Sequence, residues 1–166
     1  MVELLVTYME MVEPPRGPAL APLVAGAAVA RERPSPAEYL ALYRAVGESL
    51  QWDQRLAMPA FALAEFLAGP NADIRVLHLA GRAAGFCEMD VSAWPEVEIV
   101  NFGLLPQAQG KGLGPYLLDH ALRAAWGRGA RRIWLHTDSN DHPKAVAVYE
   151  RAGFRVFDRR RESFPD

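Results

Sequence analysis

Three glycines alternate with other residues in Gln109-Gly110-Lys111-Gly112-Leu113-Gly114, between a strand-like stretch, Glu98 to Leu105, and a helix-like stretch beginning near Pro115. Glycines at that spacing let the chain turn tightly and bring several N–H groups close to one point. The first turn of the following helix contributes unpaired donors and the positive end of its dipole, so the turn suits a phosphate or pyrophosphate. Lys111 adds a charge of the right sign. Two nucleotide motifs are disfavoured. A P-loop needs Ser or Thr after Gly-Lys, and Gly112 follows Lys111; a dinucleotide fingerprint needs glycine at its sixth place, where Pro115 or Leu117 stands. Taken alone, the hexapeptide also fits a bend with no ligand.

The flanking periodicities place this turn inside a βαβ unit. Leu117, Leu118, Ala121, Leu122 and Ala125 form one apolar stripe that stops at Gly127 and Gly129; Arg132 to Thr137 reads as the next strand. A helix over Ala145 to Ala152 and a last strand over Phe154 to Phe157 follow. Upstream, Ile74–Leu79, Ala83–Val91 and Val97–Leu105 read as an antiparallel meander with a turn at Ala80-Gly81-Arg82. Ser35-Pro36-Ala37-Glu38 is a capping box with proline at the first helical position, opening a helix to about Val46; a shorter helix runs from about Pro59 to Leu67. Residues 2–9 read as a first strand, stopped by Glu13-Pro14-Pro15-Arg16-Gly17.

Length and charge narrow the function classes. A chain of 166 residues suits one core, and residues 1–166 are expected to form a single domain. A net charge of −2 argues against a polybasic nucleic-acid arm. The lone Cys87 excludes a disulfide framework and reads as a small buried hydrophobe. His78, His120, His136 and His142 show no paired ligand spacing, so no metal is assigned, and none of the five serines sits in a nucleophile elbow. The apolar stretch Gly17 to Ala30 is too short to span a bilayer, and the start Met1-Val2-Glu3-Leu4 lacks a basic leader, so no membrane is expected and a cytoplasmic location is.

The pattern Gln-x-x-Gly-x-Gly at Gln109, Gly112 and Gly114, after Leu104-Leu105-Pro106 and before a Leu-Leu helix, resembles the pyrophosphate motif of the GCN5-related N-acetyltransferase (GNAT) family. Ala145-Val146-Ala147-Val148-Tyr149-Glu150-Arg151-Ala152-Gly153-Phe154 resembles that family's second signature. The resemblance covers about residues 73–157, as a CoA-binding core; residues 1–72 fit only in element order, as an acceptor-side strand and helices. It implies an α/β fold with a mixed, mostly antiparallel sheet, helices on both faces, and strands splayed at the CoA cleft. The implied function is acetyl transfer from acetyl-CoA to a primary amine of a small molecule or peptide, by direct attack in a ternary complex. Main-chain groups of Gly110, Lys111, Gly112, Leu113 and Gly114, with Gln109, would bind the pyrophosphate. Those of Leu104 and Leu105 would hold the pantetheine arm, one of them polarising the carbonyl. Homodimers are common in the family. Another acyl donor or acceptor, and a silent CoA-binding module, stay open as alternatives.

Amine acetylation needs a base, because an ammonium has no lone pair, and a proton for the departing thiolate. Glu98 stands at the family glutamate's offset before Gln109, and Glu96 shares its strand face; Tyr149 matches the family tyrosine that protonates the sulfur. The family's asparagine position is His142 here, with Asn140 two places away as the alternative contact to CoA; His142 or Asp141 is expected to cap the helix, with Pro143 at its first position. Trp52, Trp94, Glu88 and Asp90 are candidates for an acidic, aromatic-edged acceptor site. Arg159-Arg160-Arg161 reads as a solvated end, with a contact to the adenosine 3′-phosphate as the other reading.

Overall fold

A computed structural model describes residues 1–164. Seven strands form one sheet, β1 (Val2–Met11), β2 (Ala27–Glu32), β3 (Ala72–Leu79), β4 (Arg82–Asp90), β5 (Glu96–Leu104), β6 (Arg132–Asp138) and β7 (Arg155–Phe164), in the order β2-β3-β4-β5-β6-β1-β7. Every pairing is antiparallel except β5 with β6. The helices are α1 (Pro36–Gly47), α2 (Ala60–Ala68), α3 (Leu113–Gly127) and α4 (Ala145–Ala152). The meander and the parallel βαβ unit follow the sequence expectation. The β3–β4 hairpin closes on Ala80 and Gly81, both with positive φ, as a two-residue turn matched to strand twist requires.

Helices cover both faces. On one, α3 buries Leu113, Leu117, Leu118, Ala121, Leu122 and Ala125 against Cys87, Met89, Val97, Ile99, Ile133 and Leu135, and α4 adds Tyr149. On the other, α1 and α2 bury Tyr39, Tyr43, Val46, Leu63 and Leu67 against Ile74, Val76 and Phe86. The expected capping box opens α1: Ser35 Oγ accepts from the Glu38 N–H, and Glu38 Oε1 accepts from the Ser35 N–H. Cys87 is fully buried, and burial pushes its thiol up, which leaves it inert as a nucleophile.

The structure corrects several expectations. Ala27–Glu32, in an Ala-rich stretch without strand alternation, is an edge strand whose partner is β3. The last strand runs to Phe164 and not to Phe157, so Arg159, Arg160 and Arg161 belong to β7, paired with Thr7, Val6 and Leu5 of β1, and are not a loose end. β1 lies between β6 and β7, so the first strand of the chain separates the last two. α3 starts at Leu113, which puts Pro115 inside its first turn, where a missing N–H costs nothing. α4 starts at Ala145 with Lys144 as its cap residue, so Pro143 lies in the preceding turn and not at the first helical position.

Candidate active site

β5 and β6 run side by side only where Glu96–Ile99 faces Arg132–Leu135. β5 continues to Leu104 and β6 to Asp138 without pairing, so the two strands part and leave an opening in the sheet. The parting begins at an irregularity. Glu88 pairs with Asn101 but its neighbour Met89 pairs with Ile99, which leaves Val100 as an extra residue on β5. Such a bulge bends a strand and re-aims its side chains. Past it, the β5 main chain has one edge bonded to β4 and the other open. Leu105 turns to β4: its N–H donates to Ala84 O at 2.8 Å and its carbonyl accepts from the Ala108 N–H at 2.9 Å. Main-chain groups of successive strand residues point to opposite edges, so the Leu104 N–H faces the opening. Of the two amides expected to polarise a carbonyl, Leu105 is committed to the fold and Leu104 is not.

The glycine turn stands at the end of this opening. A short 3₁₀ turn, Pro106–Ala108, follows β5, and Gln109 Nε2 donates to Leu104 O at 3.5 Å. Gly110 has φ 76° and Gly112 φ 73°, a left-handed conformation that side chains with a Cβ adopt only under strain. Among the described residues no acceptor takes the N–H groups of Gly110, Lys111, Gly112, Leu113 or Gly114. The space at Gly110 is open; at Gly112 the tip of the exposed Leu23 side chain lies 2.8 Å from where a Cβ would stand. Leu113 itself is a core side chain, so what it offers the turn is its amide.

Glu98 lies at the point of parting, on the α1/α2 face. Its carboxylate is 3.9 Å from His136 Nε2 on β6, and its register partner on β4 is Asp90. Burial raises Glu98 above the usual carboxylate range, with His136 opposing and Asp90 adding to the rise. Glu96 lies two residues back along β5, away from the opening, where Arg132 Nη1 holds it at 3.3 Å. Tyr149 is buried beneath the opening, its ring 5.8 Å from both Phe102 and Phe154. Its hydroxyl has no hydrogen-bond partner among the described residues, and burial pushes its pKa up, so it stays a proton donor.

The remaining candidates divide between site and scaffold. His142 Nδ1 accepts from the Lys144 N–H at 3.1 Å, so it closes the turn before α4, and the Asn140 N–H donates to Asp138 Oδ1 at 2.8 Å. Asp141 ties the end of β6 to the opposite face: it accepts from the Thr137 hydroxyl and from Trp52 Nε1. The expected acceptor set is largely structural. Trp52 packs against Tyr43 and Phe86. Glu88 is fully buried and bonded to Arg55, Tyr39 and Asn101. Asp90 Oδ1 accepts from the Ser92 N–H, and Trp94 stands at the far end of the sheet beside Gly129. Trp134 and His136 on β6 stand beside Glu98, and from them a chain of ring contacts runs across the sheet through Tyr8 on β1 to Phe157 on β7, with Asp138 two residues further along β6. No local motif marks them; the pairing of β1 with β6, Tyr8 opposite His136, and of β1 with β7 brings them together.

A groove of about 770 Å³ lies between α3, α4 and the segment after β1, with Arg16, Arg123, Arg151 and Arg155 among its lining residues. Arg123 is held by Asp119 and by the carbonyls of Gly17 and Pro18. Among the described residues no group of three or more His, Cys, Asp or Glu is placed to hold a metal, and no helix is long and apolar enough to cross a membrane.

Residues 38–154 match the Acetyltransferase (GNAT) family. Streptothricin acetyltransferase of Streptomyces lavendulae is 36% identical over 90 residues, 52% of this chain and 47% of that protein. A mycothiol acetyltransferase of Streptomyces bingchenggensis is 39% identical over 79 residues, 47% of this chain and 25% of that one. The chain thus spans half or less of the length of these relatives. The fold is similar to that of a GCN5-related N-acetyltransferase from Sphaerobacter thermophilus, with a TM-score of 0.69 at 23% identity, over 94% of this chain and 49% of that one.

Proposed function

Since the chain belongs to the GNAT acetyltransferase family, we propose that it transfers the acetyl group of acetyl-CoA to a primary amine. One observation carries this reading: the unbonded amides of Gly110–Gly114 stand at the end of the gap between β5 and β6, with Glu98 at the other end of that gap and Tyr149 beneath it. In this reading the amides and the α3 N-terminus take the pyrophosphate, and the free edge of β5 holds the pantetheine arm as an added strand. Arg16, Arg151 and Arg155 around the α3–α4 groove suit the adenosine 3′-phosphate better than Arg159–Arg161, which stand on the edge strand β7, three strands from β5.

Acetyl-CoA supplies a thioester carbonyl for the amine to attack and a thiolate to leave. Glu98 removes the proton of the incoming ammonium, a task for which a carboxylate above its ordinary range is suited. The Leu104 N–H meets the negative charge that develops on the carbonyl oxygen. As the C–S bond breaks, Tyr149 gives its phenolic proton to the sulfur, while the attacking nitrogen releases its second proton to solvent, from which Tyr149 is reprotonated. The acceptor lies across Trp134, His136 and Tyr8, where Glu98 and Asp138 favour a cationic amine over a neutral one. A broad screen of amines with acetyl-CoA, read by thiol release and by mass of the product, tests the proposal. Acetylation of cationic amines that stops in Glu98→Gln at neutral pH is expected; tight CoA binding without acetylation of any amine overturns it.

A further inference from the structure

At the opposite end of α3 the structure holds a second cluster of charge. Asp73, 5% exposed at its side chain, accepts Arg75 through two bonds, Nε to Oδ1 at 2.8 Å and Nη2 to Oδ2 at 3.1 Å. Two more guanidinium groups reach the same Oδ2: Arg128 Nη1 at 3.5 Å and Arg31 Nε at 3.7 Å. Three cations therefore share one carboxylate, and two positive charges are left over. Arg75 is satisfied; the other two are not. Arg128 makes one long hydrogen bond, and Arg31 has no hydrogen-bond acceptor among the described residues. Both line a cavity of about 340 Å³ together with the Asp73 carboxylate that they share, and its other walls are Pro70, Met89, Val91, Ala125 and the Trp94 ring. His120, which feels Arg75, is held neutral by burial and by that neighbour, so it adds no charge.

Like-charged groups gathered over one carboxylate repel each other, and an anion placed between their free forks relieves that repulsion and fills the empty donors. The walls choose among anions. Apolar side chains and an indole offer a bare phosphate little, but they bury a flat apolar body attached to it. We infer that this cleft is a second binding site, for a small phosphate- or carboxylate-bearing molecule whose charged head sits between Arg31 and Arg128 and whose apolar part lies on Trp94. The site is separate from the glycine turn: Arg128 follows Gly112 by sixteen residues along α3, about 24 Å at helical rise.

Phenyl phosphate and inorganic phosphate, titrated separately in the presence of excess coenzyme A, test this by NMR of the Trp94 indole N–H and the Arg31 and Arg128 Nε–H signals. Phenyl phosphate is expected to shift all three saturably. An Arg31→Gln/Arg128→Gln double variant, at exposed positions and folded by circular dichroism, should weaken its binding about tenfold or more. Trp94→Ala should bring phenyl phosphate down to the affinity of inorganic phosphate, a loss of about fivefold. Benzoate in place of phenyl phosphate distinguishes the two head groups. Shifts confined to Gly110–Gly114, no saturable shift at Trp94, or undiminished affinity in the double variant would overturn the assignment.

Discussion

The two sides of the sheet opening are built from different material. The side proposed to hold the donor is main chain: the Gly110–Gly114 amides, the Leu104 N–H and the free edge of β5. The side proposed to receive the amine is side chain, brought together from β1, β5, β6 and β7, on a scaffold that helices far away in sequence hold in place. A site made of amides leaves its mark as glycine spacing, which a single sequence displays. A site made of side chains from distant strands leaves no spacing, because only the sheet order makes the residues neighbours.

If this contrast is right, substitutions on the side-chain half act through stability and acceptor handling, and those on the main-chain half act through backbone conformation. Arg55→Ala should have the largest effect. It strands the fully buried Glu88, bonded otherwise, among the described residues, to Tyr39 and Asn101, and a broken buried ion pair costs about 3 kcal/mol or more, read by urea unfolding. Affinity for CoA should change little in the fraction that stays folded. Gly112→Val does the reverse. A β-branched residue at φ 73° displaces the amides, so CoA affinity by calorimetry should fall about a hundredfold, about 2.7 kcal/mol, with a smaller loss of stability, about 1–2 kcal/mol from backbone strain, in a chain that still folds. Retained affinity would mean that side chains and not amides hold the donor.

Tyr149→Phe sharpens the contrast inside the core. Loss of a proton donor should lower kcat about thirtyfold with KM for acetyl-CoA within about twofold; an equal loss in both would assign Tyr149 to packing alone. Glu98→Gln is expected to lower kcat/KM about tenfold at neutral pH and to recover as pH approaches the amine's own pKa. Its stability effect has a definite sign. Burial raises the folded-state pKa of Glu98, so the ionised form destabilises the fold once pH rises through that value, and Glu98→Gln should be slightly more stable than the parent at neutral pH and no different in acid. A variant less stable at neutral pH would show that Glu98 is paired, not poised.

The same contrast explains what could be read in advance. The βαβ unit, the meander and the capping box at Ser35 were legible because each rests on local periodicity or a local cap. β2 was not: Ala-Ala-Val-Ala-Arg-Glu has no strand alternation, and its pairing with β3 makes it a strand. Nor was the extent of β7, whose arginines look like a solvated end until β1 is placed beside them. Trp52 and Glu88 looked like pocket residues by type, yet one packs with Tyr43 and Phe86 and the other is neutralised by Arg55 from a loop 33 residues away. Trp134, Tyr8 and Phe157 carried no signal, since nothing local distinguishes an aromatic on an open face from one in a core.

The central claim is that unbonded main-chain donors at the glycine turn and along the open edge of β5 hold coenzyme A. Backbone amide NMR during a titration with coenzyme A tests it directly. The account predicts large shifts and slowed hydrogen exchange at Gly110, Lys111, Gly112, Leu113, Gly114 and Leu104, with the Leu105 amide, already bonded to Ala84, protected before any ligand is added. Shifts centred elsewhere, with those six amides unmoved at saturation, would contradict it.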